Sequence, residues 1–158
     1  MPPPSNIGTV QPLLTPTHQG ALEWFSSHAG QEVGWPAPIE GMFLANKAKG
    51  IHKPAGLKYA LSIRQSLTGP YQDIVQYQSD GSWQLDYAQE GENPEYFTNV
   101  SLNACMKDCV PIGVMLQVRT KPNSRYKVLG LGQVVNWQAG IFEIHTRLPA
   151  KRLTATGA

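Results

Sequence analysis

The Asp, Glu and His residues of this chain could carry out acid–base chemistry, but none of them lies in a known catalytic motif. Asp86 and Glu90 are four residues apart, and two such carboxylates could act as an acid and a base. The sequence has no Gly-rich phosphate loop, no His-Glu-x-x-His helix and no Gly-x-Ser-x-Gly elbow. We therefore predict no catalytic residues and a binding role. An enzyme that acts on a nucleotide or base through Asp86 and Glu90 is kept as the third of three hypotheses.

Histidine and cysteine are not spaced for metal binding. The four histidines are scattered along the chain: His18, His28, His52 and His145. Cys105 and Cys109 would share one face of a helix, and without a second cysteine pair they are interpreted as two small buried residues. The sequence predicts neither a metal site nor a cofactor.

The charged residues are segregated along the chain. The net charge is only +2, but all 13 Lys and Arg lie at or after Lys47. Two basic blocks contain no acid, one made of Lys47, Lys49, Lys53, Lys58 and Arg64, the other of Arg119, Lys121, Arg125 and Lys127. Residues 73–95 between them carry acids and no base. This pattern suits a polyanion clamp around a pocket that reads hydrogen-bond donors, although ordinary solvated faces explain it equally well.

Length and composition favour one ordinary domain. A chain of 158 residues can bury a real core without disulfides or metals. Hydrophobic residues make up 41% and charged residues 15%, and no apolar run reaches the roughly 18 to 20 residues that cross a bilayer. The N-terminus has no secretion signal. We expect a soluble, cytoplasmic protein that does not contact a membrane.

Proline and turn residues divide the chain into elements. Residues 1–16 are proline-rich and predict an extended or disordered lead, residues 17–148 a single domain, and residues 149–158 a tail or linker. Thr15-Pro16-Thr17 predicts the start of an amphipathic helix that ends at Gly30, and a second helix is predicted over residues 98–107.

Most of the remaining chain predicts short strands separated by tight turns. The strands are expected at residues 41–45, 59–64, 74–78, 83–87, 114–118, 126–137 and 141–146. Turn sequences include those at residues 68–70, 79–81, 121–123 and 138–140. We predict an α+β, strand-rich fold, a curled sheet or small barrel with two or three helices.

Four short motifs follow one another in the predicted strand region. They are Gly-Ile-His-Lys-Pro at residues 50–54, Leu-Thr-Gly-Pro-Tyr-Gln-Asp at 67–73, Asp-Tyr-Ala-Gln-Glu-Gly at 86–91 and Arg-Tyr-Lys-Val-Leu-Gly-Leu at 125–131. In order and spacing they resemble the motifs of the SRA family, also called SET- and RING-associated or YDG domains, over about residues 39–147. The resemblance implies a PUA-like barrel that binds DNA and flips a modified cytosine, such as 5-methylcytosine, into a pocket.

The resemblance also implies site residues. An enclosed base needs stacking surfaces and hydrogen-bond partners in its plane. Tyr71 and Tyr87 would stack on it, Asp73 would accept from the exocyclic amine of a cytosine, and backbone groups near Ala88 and Gln89 would complete the edge. Ala88 stands where the family has Thr, and Gln89-Glu90 replaces a Gly-rich sequence, so a different modification could be preferred.

Basic residues would hold the DNA backbone around this base pocket. Phosphate contacts position a duplex without reading it. We assign this role to Lys47, Lys49, His52, Lys53, Arg64, Arg119, Lys121, Arg125 and Lys127.

The chain is especially similar to the SRA-like domains that precede nuclease domains in bacterial modification-dependent restriction endonucleases. Trp24-Phe25 and Trp35-Pro36 match motifs of their N-terminal helix region. This implies double-stranded DNA with a modified base as the partner and a fused or associated nuclease domain elsewhere. The second hypothesis is a PUA-like barrel that binds RNA or a protein without base flipping. It explains the strands and basic blocks but gives Tyr71, Asp73 and Tyr87 no joint role.

Overall fold

The computed structural model describes residues 14–67 and 75–147 of the chain. Two helices and eight strands follow one another in these ranges. They are α1 (Pro16–Ser27), β1 (Glu32–Val33), β2 (Ile51–His52), β3 (Ser62–Gln65), β4 (Val75–Tyr77), β5 (Trp83–Ala88), α2 (Phe97–Asp108), β6 (Ile112–Arg119), β7 (Arg125–Gln138) and β8 (Ile141–Thr146). No helix within the described ranges is long and apolar enough to cross a membrane.

All eight strands belong to one sheet. Its order is β2-β3-β6-β7-β8-β5-β4, and β1 pairs separately with the start of β7. Strands β3 and β6 are parallel, and the other pairs are antiparallel. The sheet curls until the Lys127 Nζ atom of β7 lies 5.2 Å from the ring centroid of Tyr77 on β4. The predicted α+β, strand-rich fold with a curled sheet is confirmed, and no ladder closes β2 onto β4 in the described ranges.

Helix α1 covers the middle of the sheet. The Thr15 hydroxyl accepts from the His18 backbone N–H at 3.1 Å, and Pro16 occupies the first turn, where its missing N–H costs nothing. The buried face of α1 presents Phe25 to β6. A Cβ atom at Gly113 would lie 2.3 Å from the Phe25 ring, so β6 has a glycine where the helix approaches it. The predicted helix is confirmed, although it ends at Ser27 and not at Gly30.

Helix α2 corrects the interpretation of the two cysteines. Cys105 is fully buried and donates from its Sγ atom to the Ala60 carbonyl at 3.4 Å, and burial raises the pKa of its thiol to about 12. The helix ends at Asp108, and Cys109 turns the chain with a φ of 57°. Cys109 is exposed. The prediction of two buried thiols on one helix face is wrong, because the left-handed turn comes one residue too early.

Two further strand predictions need correction. Residues 41–45 form no strand, only an isolated bridge between Ile39 and Met42, because Glu40 and Gly41 both have positive φ. The strand expected at residues 59–64 covers Ser62–Gln65 instead. Strands β1 and β2 were not predicted, since two residues are too few for an alternating pattern. The strands after β4 lie within two residues of their predicted bounds.

Candidate functional site

A cavity of about 440 Å³ opens between β3, the end of β5 and the loop that leads into β2. Three of the five residues predicted to bind a base lie in its wall: Tyr87, Ala88 and Gln89. The other two, Tyr71 and Asp73, lie outside the described residues. The remaining wall residues are Ala48, Gly50, Ile51, Arg64, Gln65, Ser66 and Glu90.

Tyr87 forms a buried aromatic wall of this cavity. Its hydroxyl donates to the Arg64 carbonyl at 3.3 Å, and burial raises its pKa, so the phenol stays neutral. Gly50 makes room for this hydroxyl. A Cβ atom at Gly50 would lie 1.9 Å from the Tyr87 Oη atom and 3.2 Å from the Arg64 carbonyl oxygen. The glycine that begins the Gly-Ile-His-Lys-Pro motif is therefore required by close packing against Tyr87.

Gln89 is held in one orientation at the cavity edge. Its backbone N–H donates to the Gly140 carbonyl at 2.8 Å. Its side-chain oxygen accepts from the Trp137 indole N–H at 3.1 Å, and its Nε2 atom donates to the Gly91 carbonyl at 3.2 Å. Because the amide is fixed on both sides, its oxygen keeps a defined direction for a second donor.

Glu90 and the loop after it are fastened to the start of α2. The Glu90 carboxylate accepts from the Thr98 hydroxyl and forms an ion pair with Lys49 at 3.3 Å. Asn99, fully buried, accepts from the Glu90 backbone N–H at 2.8 Å and donates to the Glu90 and Asn93 carbonyls at 2.8 and 3.0 Å. The cavity edge is thus preorganised by hydrogen bonds.

Lys49 does not line the cavity but pairs with Glu90, which does. Its Nζ atom donates to the Tyr96 hydroxyl at 2.8 Å as well as to Glu90, and these two hydrogen bonds raise its pKa. The same atom lies 5.0 Å from the Tyr96 ring centroid and 5.8 Å from that of Phe97. The Lys49 ammonium group therefore already has partners within the protein.

The two carboxylates of the enzyme hypothesis do not share this cavity. Glu90 lines it, whereas Asp86 is exposed on β5, opposite Glu143 of β8. No group of three or more His, Cys, Asp or Glu that could hold a metal ion occurs among residues 14–67 and 75–147.

A larger groove of about 1020 Å³ lies beside the cavity and shares Arg64 and Ser66 with it. Four of the predicted DNA-backbone residues line the groove: Lys47, Arg64, Lys121 and Arg125. The rest of its wall consists of Trp35, Ser66, Gln117, Thr120, Pro122, Asn123, Ser124 and Tyr126. The fold therefore gathers cations from both basic blocks along one groove.

Arg64 stands between the two spaces and organises both. Its Nη2 atom donates to the Asn46 and Lys47 carbonyls at 3.0 and 3.2 Å, which fixes the loop above the cavity. Its guanidinium carbon lies 5.8 Å from the Trp35 ring centroid. The Nε atom is buried with no hydrogen-bond partner in the described part of the chain.

The other predicted backbone residues lie elsewhere. His52 is buried, its Nε2 atom hydrogen-bonds the Phe43 carbonyl at 2.9 Å, and burial lowers its pKa. Lys53 donates to the Pro54 carbonyl at 3.2 Å. Arg119 is exposed at the end of β6, and Lys127 lies over Tyr77. None of these four lines the cavity or the groove.

Sequence reasoning assigned no site role to Trp35 or Asn99, and it considered Glu90 only as a possible acid–base partner of Asp86. Trp35 was noted only as part of its Trp-Pro motif, because an aromatic residue twelve positions before the first lysine does not by itself indicate a binding site. Asn99 carries no signal in the sequence, because an asparagine early in a helix is ordinarily exposed. Its role becomes visible only from its burial and its three hydrogen bonds.

Comparisons with known proteins give limited likeness. No family model matches the chain, and no curated protein is significantly similar to it. Among solved structures, KRYPTONITE in complex with mCHG DNA and SAH is 23% identical, with a TM-score of 0.41, over 63% of this chain and 24% of that one. KRYPTONITE in complex with mCHH DNA, an H3(1-15) peptide and SAH is 17% identical, with a TM-score of 0.47, over 84% and 37%.

A third structure, Arabidopsis thaliana SUVH6 in complex with SAM, is 26% identical, with a TM-score of 0.46, over 66% of this chain and 22% of that one. The chain thus spans well under half the length of each of these proteins. TM-scores below 0.5 leave fold and function to be argued from the chain's own residues.

Proposed function

We propose that this chain is a DNA-binding domain that recognises a modified base, with modified cytosine as the first candidate, by holding the extruded base in the 440 Å³ cavity. The observation that carries the proposal is the shared wall of Arg64 and Ser66. The cavity and the basic groove meet at these two residues. The groove can therefore bind the sugar–phosphate backbone of a nucleotide whose base lies in the cavity.

The groove suits phosphate. Lys47 and Lys121 line it and form no ion pair with any residue of the described ranges. Arg125 is held by Glu32, whose carboxylate lies 3.1 Å from its Nε atom, so its charge is partly compensated. Lysines that contact phosphates displace the counterions condensed on the DNA. The resulting affinity is strong and depends on salt concentration but not on base sequence.

The cavity suits a nucleobase. Its volume is within the range of small-molecule sites, and Tyr87 gives it an aromatic wall. Gln89 and Glu90 add fixed acceptors, and a carboxylate has room for donors beyond Thr98 and Lys49. An acceptor in a fixed place can pair with the exocyclic amine of cytosine, which repays part of the few kcal/mol that extrusion costs.

The remaining parts of the proposal rest on the sequence. Tyr71 and Asp73 stay predicted as the second stacking surface and as an acceptor. The Trp24-Phe25 and Trp35-Pro36 motifs support a role as the recognition module of a modification-dependent restriction system, with the nuclease on a fused or associated domain. We propose that the chain itself is not an enzyme and acts in the cytoplasm.

The test is binding measured by fluorescence anisotropy at one moderate salt concentration. The labelled duplexes differ only at one position, which is unmodified, 5-methyl-, 5-hydroxymethyl- or glucosylated cytosine, or N6-methyladenine. We expect tighter binding of one modified duplex. Ala48→Trp adds bulk at the cavity wall and should remove that preference, as should Tyr71→Ala and Asp73→Ala.

The matched control is Ala55→Trp. Ala55 is exposed, like Ala48, but lines a separate cavity beside His52. It should keep the preference for the modified duplex. Equal binding of all duplexes, unchanged by Ala48→Trp, would refute recognition in the cavity. Tighter binding of an RNA of the same sequence would favour a barrel that binds RNA without base flipping.

A further inference from the structure

Trp35 has a different environment from the other tryptophans. Trp83 is buried and its indole N–H donates to the Leu129 carbonyl at 3.2 Å, while that of Trp137 donates to Gln89. Trp24 packs edge-on against Phe25 at 5.1 Å. Trp35 is partly buried, as are Trp24 and Trp137, but it lines the basic groove and they do not. Its ring is therefore a surface that a ligand in the groove can meet.

The indole is held in place and surrounded by positive charge. The Tyr126 ring stands edge-on to it, with ring centroids 5.5 Å apart and an angle of 71° between the planes. The Lys47 Nζ atom lies 5.4 Å from the indole centroid, and the Arg64 guanidinium carbon lies at 5.8 Å. Both cations are within the distance at which a cation interacts with an aromatic face. Any base that meets this ring has cations next to it for its phosphate.

An aromatic ring inside a basic groove has a specific meaning for nucleic acids. The outside of a duplex offers phosphates and sugars, for which cations and polar groups suffice. Proteins that hold unpaired strands instead combine a positive groove with rings on which single bases stack. At about 1020 Å³ the groove is more than twice the size of the cavity, which leaves space for a nucleotide with its phosphates.

We propose that the groove is a second nucleotide subsite, which stacks one unpaired nucleobase on Trp35 and holds the adjoining phosphate between Lys47 and Lys121. The proposal rests on the proposed function in that the polymer is DNA, but it does not require the cavity. Extruding a base leaves its partner and neighbours without a stack, so an unpaired nucleotide arises next to the shared wall of Arg64 and Ser66. The domain therefore binds a locally opened site more tightly than a continuous duplex.

The test compares two duplexes that both carry the preferred modified base. One is fully paired, and the other has two unpaired nucleotides beside that base. The wild-type protein should bind the opened duplex more tightly. Trp35→Leu should weaken binding of the opened duplex by about tenfold, in line with the loss of one base–aromatic stack, and that of the paired duplex less than threefold. Trp35→Phe keeps an aromatic ring, so its affinity for the opened duplex should lie between those of the wild-type protein and Trp35→Leu.

The matched control is Tyr77→Leu. Tyr77 is an exposed aromatic residue. Like Trp35 it has a lysine near its ring, at 5.2 Å, but it lies outside the groove. It should leave the difference between the two duplexes unchanged. Equal weakening of both duplexes by Trp35→Leu, or no weakening, would overturn the subsite.

Two further measurements keep the outcomes separate. 5-Iodouracil at the unpaired position should cross-link to Trp35 in the wild-type protein, which does not depend on how a variant folds; a cross-link only to other residues would contradict the proposal. Ala48→Trp should abolish the preference for the modified base but keep the advantage of the opened duplex. If the wild-type protein binds the opened duplex more tightly but prefers no modified base, the proposed function fails and the subsite stands.

Discussion

Three side chains of the cavity wall are held by hydrogen bonds within the protein, whereas the groove beside it is lined by two exposed lysines and an indole. Tyr87, Gln89 and Glu90 each have fixed partners, and Asn99 ties the cavity edge to α2. Lys47 and Lys121 of the groove form no ion pair with the described residues. A fixed wall discriminates between ligands, since a wrong ligand leaves polar groups unpaired, while exposed lysines supply affinity for phosphate. We therefore expect cavity variants to change stability and selectivity, and groove variants to change salt dependence.

The largest expected effect is that of removing Asn99. Asn99→Ala loses three hydrogen bonds and leaves Glu90 and Asn93 backbone groups without partners, so the free energy of unfolding should fall by about 3 kcal/mol. Urea denaturation measures this. Asn103→Ala is the control, because among the described residues this half-buried side chain donates one long hydrogen bond of 3.4 Å, to the Asn99 carbonyl of the same helix. Similar losses for both variants would show that the cavity edge is not specially fastened.

A smaller loss of stability is expected when the packing of Gly50 against Tyr87 is disturbed. Gly50→Ala places a Cβ atom 1.9 Å from the Tyr87 Oη atom and should lower the free energy of unfolding by about 2 kcal/mol through overpacking. Gly50→Ala combined with Tyr87→Phe should recover part of this loss, because the clashing oxygen is gone. Gly20→Ala in α1 has no atom within 4 Å of the new Cβ and should be neutral or stabilising. A neutral Gly50→Ala would contradict the close fit.

The smallest effects separate two lysines that the sequence places in the same class. Lys121→Met should reduce the salt slope of DNA binding by about 0.9, which is the contribution of one phosphate contact. Lys49→Met should leave the slope unchanged, because Lys49 is engaged with Glu90 and Tyr96. Anisotropy titrations over a series of salt concentrations distinguish them. An equal change in slope would place both lysines on the DNA.

Much of the fold could be predicted, and the failures have local causes. Alternating patterns and turn residues gave β5 to β8 within two residues, and capping residues gave α1. The strand predicted at residues 41–45 failed because an apolar run also occurs where two buried residues, Leu44 and Ala45, follow a sharp turn. The prediction that Cys109 is buried on the helix failed because nothing in the sequence marked the left-handed residue that ends α2.

The candidate site could be predicted only in part. Tyr87, Ala88 and Gln89 are consecutive in a motif, and the structure places all three in the wall of one cavity; their contact with a base stays a prediction. The nine basic residues could not be ranked from the sequence. His52 and Lys49 have partners inside the protein, while Lys47 and Lys121 face the groove.

By itself, the sequence determined two basic blocks around an acidic segment, the strands from β4 to β8, and a glycine and a tyrosine in separate motifs. Only the tertiary structure decided which parts meet. Trp35, Arg64 and Lys121 line one groove because β1 pairs with β7 and β3 pairs in parallel with β6. Pairings between strands so distant in the chain depend on packing of the whole core, and no local propensity encodes them.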